Sequence, residues 1–371
     1  MNLEHVIPED VGMSAIKLER SMQYARRAGE EIGATGGAVV VIRRDKIAGE
    51  WYWGQRGPLD TRAWDVNTLI PLASVTKGIT GTVLALLVED GIVWLDHPAS
   101  AYIPELRKEG KSRITIRHLA THSSGLPAGD QDFYQSYRDR QPGEHPQATF
   151  VRHALMRDLA YEPGTWHVYS DPGVCLLGEV IYSATGQRVH EIAQKRLFKP
   201  LGLRRIGWEF PAEIASDIGG WSYEDPPRAG TADARLDVSV FGGLISNARD
   251  LATFGLMLLH EGMLEGMRVI SPLTVRMMTS CQYPLPARAK YSHRGLLWWI
   301  KAEPDTPEMG QLVPNGTYCH GGIAHSLLVI MPELDVVAVK LCNRRSNPPE
   351  WIYNRDYPVF MDLVAAAVTE F

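Results

Sequence analysis

Ser74 and Lys77 form the pair whose types and spacing could do covalent chemistry. Ser74 follows the short apolar approach Ile70-Pro71-Leu72-Ala73 and opens the amphipathic run Val75 to Glu89. This pattern predicts a helix with Ser74 in its first turn and Lys77 on the same face. Burial disfavours a charged amine, so a lysine in a poorly solvated cleft can shed its proton and accept that of the serine hydroxyl. Backbone N–H groups at the helix start would face the oxyanion that forms on an attacked carbonyl. The same S-x-x-K pattern recurs at Ser14-Ala15-Ile16-Lys17, ahead of the polar amphipathic run Lys17 to Glu31. There it reads as a helix N-cap beside a solvated lysine. Spacing alone therefore does not identify a nucleophile.

A serine–lysine pair needs a second proton-handling group. Tyr169, in Trp166-His167-Val168-Tyr169-Ser170-Asp171-Pro172-Gly173, lies at a loop-to-helix junction, with Asp171 as the N-cap of a helix that Val174 to Ser183 continues. A tyrosine there can project into a cleft. A cationic lysine beside it would lower its pKa, making it a base for acylation and an acid for the leaving group. The alternative is a structural tyrosine, since Tyr137-Arg138-Asp139 and Tyr223-Glu224-Asp225 repeat the Y-x-D pattern. Further on, His320-Gly321-Gly322-Ile323 begins where the C-terminal strands begin. Two glycines after a histidine let the backbone pass close to a neighbour, and a strand edge could offer an N–H to the substrate carbonyl. A bulge before the strand Ser326 to Met331 is the other reading.

Other chemistries lack their signatures. There is no G-x-S-x-G elbow and no H-E-x-x-H; His260-Glu261 has no second histidine and ends a helix before Gly262. With no Walker A sequence and no glycine-rich dinucleotide fingerprint, no cofactor is expected, and no metal. Cys175, Cys281, Cys319 and Cys342 are scattered and form no C-x-x-C pair, which predicts buried reduced thiols. A net charge of −5 without a long basic run gives no footprint for nucleic acid or an acidic membrane. No apolar run approaches the ~18 residues of a membrane span. The N-terminal stretch carries acids and Pro8 where a secretory signal carries basic and apolar residues, which points to the cytoplasm.

The elements that must carry these groups follow from periodicity. Residues 14–31 read as a helix, Ala38 to Ile42 as a strand, and Ile47 to Trp53 as its hairpin return. At the far end, Leu327 to Met331, a Pro332-Glu333-Leu334-Asp335 turn and Val336 to Leu341 form a second hairpin, followed by a helix over about 357–370. Matching strands at both ends predict one sheet. The middle reads as mainly helical, with helices near 75–89, 115–122, 148–158, 172–185, 188–197, 248–262 and 272–280. The expected division is an α/β lobe of residues 10–75 and 235–371 and a helical lobe of 76–234, with the active site in the cleft between them. Pro127 to Thr149 is a long polar segment, read as a lid, a substrate loop or a mobile excursion.

Taken in order, Ser74-x-x-Lys77, Tyr169-Ser170-Asp171 and His320-Gly321-Gly322 resemble the serine β-lactamase and penicillin-recognising superfamily. The branch most resembled is class C, with its relatives the family VIII carboxylesterases and D-aminopeptidases. Ile114 to Pro127, Phe241 to Leu251 and Leu296 to Trp299 resemble linking signatures of that family, over roughly residues 10 to 345. The resemblance implies an α/β (α+β) fold, an antiparallel sheet from both chain ends flanked by helices, plus an all-helical lobe. It implies Ser74 as the acylated nucleophile, Lys77 and Tyr169 sharing base and acid roles, and an oxyanion hole of the Ser74 and Ile323 N–H groups. His320 takes the place that lysine fills in penicillin-binding proteins.

One departure is chemical. The family carries an asparagine where this chain has Asp171. An amide can donate to a substrate carbonyl; an ionised carboxylate only accepts, and near Lys77 it favours the protonated amine. This predicts a larger base role for Tyr169 and a substrate with an amine or other donor near the scissile bond. His320 removes a permanent positive charge, which points to small-molecule esters or amides over penicillins. Trp298, Trp299, Tyr318 and Trp221 are candidates for an acyl or alcohol pocket, with core packing as the alternative. Arg344 and Arg345 could read a carboxylate, or form a solvated turn. The expected activity is a carboxylesterase on small esters. A β-lactamase, a D-amino-acid amidase or peptidase, an acyltransferase using the same serine, and a non-catalytic binding protein are the alternatives.

Overall fold

The apolar run from Ala38 to Ile42 is unbroken because both faces of its strand are covered. In the computed structural model, which describes residues 3–108, 110–220, 239–283, 293–302, 307–344 and 355–370, every residue of β1 (Gly36–Arg43) is buried. Ala38, Val40 and Ile42 enter one core, and Val39 and Val41 enter another. This is the period of two that a strand imposes. A turn through Arg44 and Asp45, both at positive φ, returns the chain as β2 (Lys46–Gly57), with β3 (Asp60–Ala63) at the edge.

Short strands β4 (Ile70–Pro71), β5 (Ile206–Gly207) and β6 (Ile245–Ser246) form a separate sheet in the order β4-β6-β5, and β7 (Met263–Leu264) pairs with β8 (Met267–Arg268). The remaining strands are β9 (His293–Arg294), β10 (Trp299–Ile300), β11 (Tyr318–Gly322), β12 (Ser326–Met331) and β13 (Val336–Cys342). They join the first three in one eight-stranded antiparallel sheet, β3-β2-β1-β13-β12-β11-β10-β9. Its closure sets Gly37 opposite Cys342 and Arg43 opposite Val336. The sheet built from both chain ends is thus present.

Helix α1 (Ala15–Glu31) begins where the Ser14 hydroxyl accepts from the Lys17 N–H at 3.4 Å, the N-cap role expected of that serine. Its buried Leu18 and Ala25 share a core with Val39, Val41, Val329 and Ala338 of the sheet. The other sheet face meets α2 (Thr76–Glu89) and the layer it belongs to. That layer includes α3 (Ile116–Ala120), α4 (Gln131–Gln135), α5 (Pro146–Leu155), α6 (Asp171–Thr185) and α7 (Val189–Ala193), while α8 (Ala212–Ala215) packs on a separate small cluster of Leu69, Ile218 and Ile245. Then come α9 (Ala248–Leu259) and α10 (Pro272–Met278). Helix α11 (Tyr357–Ala367) completes the α1 face, its Phe360 and Val364 beside Leu18 and Ala25.

Two expectations change here. Helix α2 is not amphipathic in place: residues 76–87 are all buried, because α6, α7 and α10 pack around it while the sheet backs it. Its threonines are satisfied internally, Thr80 Oγ1 on the Val240 carbonyl at 2.7 Å and Thr82 Oγ1 on the Gly78 carbonyl at 2.8 Å. The polar segment 127–149 is not a structureless loop. It carries α4 and a 3₁₀ turn, Ser136–Asp139, before α5 begins at Pro146. Trp221, Tyr223 and Arg345 lie outside the described residues.

Candidate active site

Ser74 lies in a 3₁₀ turn, Ala73–Val75, that runs directly into α2. Ala73 stands at φ 48°, a left-handed conformation that costs an L-residue about 1–2 kcal/mol. Such a conformation persists only where the surroundings over-determine it, and here they do. The Leu72 N–H donates to the Leu244 carbonyl at 2.8 Å, Thr76 Oγ1 donates to the Ala73 carbonyl at 2.6 Å, and Ser326 Oγ donates to the Leu72 carbonyl at 2.6 Å. The half-buried Ser74 side chain is therefore presented by a fastened turn.

Lys77 sits one turn later and is 0% exposed. Its Nζ donates to Ser74 Oγ at 2.9 Å and to the Phe241 carbonyl at 2.7 Å, and lies 2.8 Å from Asp171 Oδ1. Burial pushes the lysine below its ordinary pKa, and the Asp171 carboxylate pulls it partly back. The carboxylate acts in the expected direction, but desolvation outweighs it. Asp171 is not the N-cap of α6: Ser170 is, its Oγ accepting from the Gly173 N–H at 3.1 Å. Asp171 follows in the first turn and faces Lys77, while its Oδ2 accepts from the Tyr134 hydroxyl at 2.7 Å.

Tyr169 brings its ring centroid to 4.8 Å from Lys77 Nζ. Its pKa does not fall. Burial pushes it well up and the Asp171 charge adds to that, while the Ser74 hydroxyl and the Arg294 charge oppose it. The lowering expected from Lys77 is outweighed by burial, which favours the protonated phenol. His122 brackets this residue, its carbonyl accepting from the Val168 N–H at 3.0 Å and its Nδ1 from the Ser170 N–H at 3.1 Å. The two rings lie 4.5 Å apart. Since Nδ1 accepts, the proton of the neutral imidazole is on Nε2.

His320 is also fully buried, between Tyr169 at 6.5 Å and Trp299 at 4.7 Å, ring centroid to centroid. Nδ1 lies 2.8 Å from the Gly321 carbonyl, which only accepts, so Nδ1 carries the proton and Nε2 presents a lone pair. Burial, and next the Lys77 charge, push its pKa well down, so the ring is neutral. Behind it, Arg294 Nε donates to His167 Nε2 at 3.1 Å, and burial with this guanidinium takes His167 down to about 2.

The glycines after His320 serve packing. A Cβ on Gly321 would stand 2.1 Å from Tyr357 Cε2, and one on Gly322 would stand 2.4 Å from the Leu72 carbonyl oxygen. The Gly322 N–H is taken by the Tyr357 hydroxyl at 3.1 Å. The bareness of Gly321 thus makes room for the Tyr357 ring, and that of Gly322 lets β11 lie against the Ser74 turn. Ile323, half-buried, follows at the strand's end. Trp298 is corrected as well: it is fully buried under α2, 2.9 Å from where a Gly78 Cβ would be, and edge-on to the buried Tyr318. Both rings are core.

Ser74, Lys77, Asp171 and Tyr169 are thus brought together, with the His320 ring 6.5 Å from that of Tyr169. Tyr134, Phe241 and His122 complete the site without having been singled out from sequence. The only available signal was that His122 lies within, and Phe241 heads, two of the family-like stretches. Among the described residues, no three His, Cys, Asp or Glu side chains are grouped to hold a metal ion, and no helix is long and apolar enough to cross a membrane. Of the cysteines, Cys175, Cys319 and Cys342 are buried and Cys281 is exposed, all free.

Known proteins share this fold. A putative D-alanyl-D-alanine carboxypeptidase of Escherichia coli O157:H7 is 26% identical over 380 residues, spanning 92% of this chain and 85% of that protein. The solved structure of EstCE1, a hydrolase with promiscuous acyltransferase activity, superposes with a TM-score of 0.75 at 18% identity, over 93% of this chain and 98% of its own. A family VIII carboxylesterase gives 0.70 at 18% identity, over 96% and 98%. The model of the Beta-lactamase family matches residues 22–359. A match over nearly the whole chain, on a fold of this kind, makes the protein a serine hydrolase belonging to the beta-lactamase family.

Proposed function

We propose that the protein is a carboxylesterase that cleaves small esters through an acyl-enzyme on Ser74. The observation that carries the reading is the hydrogen bond from the buried Lys77 Nζ to Ser74 Oγ, 2.9 Å, made by an amine that burial predisposes to lose its charge. In this reading Ser74 Oγ bonds to the ester carbon and its proton passes to Lys77 Nζ. The oxyanion rests on the N–H groups of Ser74 and Ile323. Tyr169, protonated in the free enzyme, gives its proton to the departing alkoxide and is reprotonated from Lys77. Water then enters by the reverse sequence, and the acid leaves.

The neutral His320 favours a substrate without a carboxylate, and Asp171 favours one with a donor near the scissile bond. Both features weigh against penicillins and against peptides with a free carboxyl terminus. Transfer of the acyl group to an alcohol is a second reading, supported by the likeness to EstCE1. The test compares p-nitrophenyl butyrate, a p-nitrophenyl ester with an α-amine, and nitrocefin, with and without methanol. Ester turnover abolished in Ser74→Ala, with nitrocefin slow, supports the esterase. Fast nitrocefin turnover overturns it, and a methyl ester formed in preference to the acid favours acyl transfer.

A further inference from the structure

Asp171 presents two oxygens, and each has a different protein partner. Oδ1 faces Lys77 Nζ at 2.8 Å and Oδ2 accepts from the Tyr134 hydroxyl at 2.7 Å. Tyr134 is 40% exposed, yet its setting is fixed by several contacts. Asp130 caps its helix, accepting from the Phe133 N–H at 2.8 Å, and Arg157 Nη2 holds Asp130 at 2.7 Å. Ser170 Oγ, next to Asp171 itself, donates to the Pro127 carbonyl at 2.7 Å. The Tyr134 ring lies 5.6 Å from that of Phe133 and 6.3 Å from that of Phe241, whose carbonyl also accepts from Lys77. The backbone gives way to it at Gly129, where a Cβ would stand 2.6 Å from the Tyr134 hydroxyl. Three separate elements therefore aim one hydroxyl at one carboxylate oxygen.

We propose that Tyr134 is a positioning residue for Lys77: by donating to Asp171 Oδ2 it draws negative charge away from Oδ1 and orients the carboxylate, so that Lys77 can release its proton despite the ion pair. A carboxylate that accepts a hydrogen bond is a weaker partner for a cation on its other oxygen. The segment 127–139 thereby acquires a role: it carries the group that offsets having an anion beside the lysine. The groups facing Lys77 from the surrounding elements are Ser74, the Phe241 carbonyl, Asp171 and Cys175 of α6, and Tyr169, while the neutral His122 and His320 feel the Lys77 charge through space. Among them Asp171 is the anion, and Tyr134 acts on that anion. The consequence for turnover rests on Ser74 being the nucleophile; the effect on Lys77 does not.

The test is a direct titration of Lys77 in protein carrying lysine labelled with ¹³C at Cε, the resonance being identified by its loss in Lys77→Met. Wild type, Tyr134→Phe, Asp171→Asn and the double variant are compared, and the pH dependence of Ser74 labelling by a fluorophosphonate is followed in parallel. Phenylalanine keeps the ring contacts and removes only the donor. The Lys77 midpoint is expected to rise by about one unit in Tyr134→Phe, and the acid limb of labelling to move with it. In the Asp171→Asn background the same substitution should leave the midpoint in place. A midpoint unchanged in Tyr134→Phe, or an equal rise with Asp171 already replaced, overturns the proposal. A Ser74 that the phosphonate never labels would overturn the esterase reading, while the titration still decides on Tyr134.

Discussion

Lys77 and Asp171 form a buried ion pair, Nζ to Oδ1 2.8 Å, at the point where the Ser74 proton has to go. An anion in this place works against a lysine base, and the net downward shift of Lys77 shows that burial is the stronger influence. Removing the charge should let burial act alone. In Asp171→Asn the acid limb of kcat/KM is expected to move to lower pH by about 1–3 units, because the lysine then stays neutral further into acid. A pH–rate profile superimposable on that of wild type would contradict this.

Tyr169 keeps its proton in the free site because burial and Asp171 both raise its pKa. Its use is then as an acid towards the leaving group. Tyr169→Phe should lower kcat by about 10²–10⁴-fold with little change in KM. The phenolate absorbance of wild type minus Tyr169→Phe should show no tyrosinate below about pH 10. A phenolate seen near neutral pH would instead support the base role.

His320 is neutral and offers a lone pair at Nε2, so a substrate carboxylate finds no cation there. A charged donor in its place should improve the ratio of nitrocefin to butyrate-ester turnover at least about tenfold, the equivalent of one charge-assisted hydrogen bond. His320→Lys, measured with both substrates, checks this. Equal ratios would mean that discrimination arises elsewhere.

A second buried charge cluster supports the strands behind the site. Asp356 Oδ2 accepts from Lys340 Nζ and lies 2.7 Å from His325 Nδ1, with all three side chains fully buried. Burial raises the Asp356 pKa, but Lys340 and His325 more than offset it, leaving the carboxyl below its usual range. Its contribution is therefore present above about pH 4, the unfolded value, and is lost as pH falls through the lower folded value. His122, His320 and His325 have depressed pKa values, chiefly from burial. The unfolded chain binds protons at these histidines first, so stability should already decline below about pH 6.5. Thermal melts should show Tm falling from pH 7 to pH 5. Asp356→Asn, which leaves Lys340 buried and unpaired, should cost about 3–5 kcal/mol at pH 7. A pH-independent Tm, or a variant as stable as wild type, would refute these assignments.

The features that sequence made legible are those with a local period or a fixed order. The alternation of Val39 and Val40 between two cores, the hairpins at both ends and the one-turn spacing of Ser74 and Lys77 are all of this kind. Tyr134 was not legible, because its partner lies 37 residues away and nothing in a polar segment marks one tyrosine over another. The adjacent Trp298 and Trp299 point to opposite sides of the sheet, one under α2 and one against His320. A strand forces that split, but not which of the two reaches the site. The sign of the shift at Tyr169 was equally out of reach, since it depends on how deeply the phenol is buried.

The measurement that bears most directly on Ser74 is intact-protein mass after mixing wild type and Ser74→Ala with p-nitrophenyl butyrate and with a fluorophosphonate. The expected result is a mass increase equal to one acyl or phosphonyl group in wild type, located on Ser74 by peptide mapping, and none in Ser74→Ala. An adduct of the same size in both proteins, or none in wild type while the ester is turned over, would contradict an acyl-enzyme on this serine.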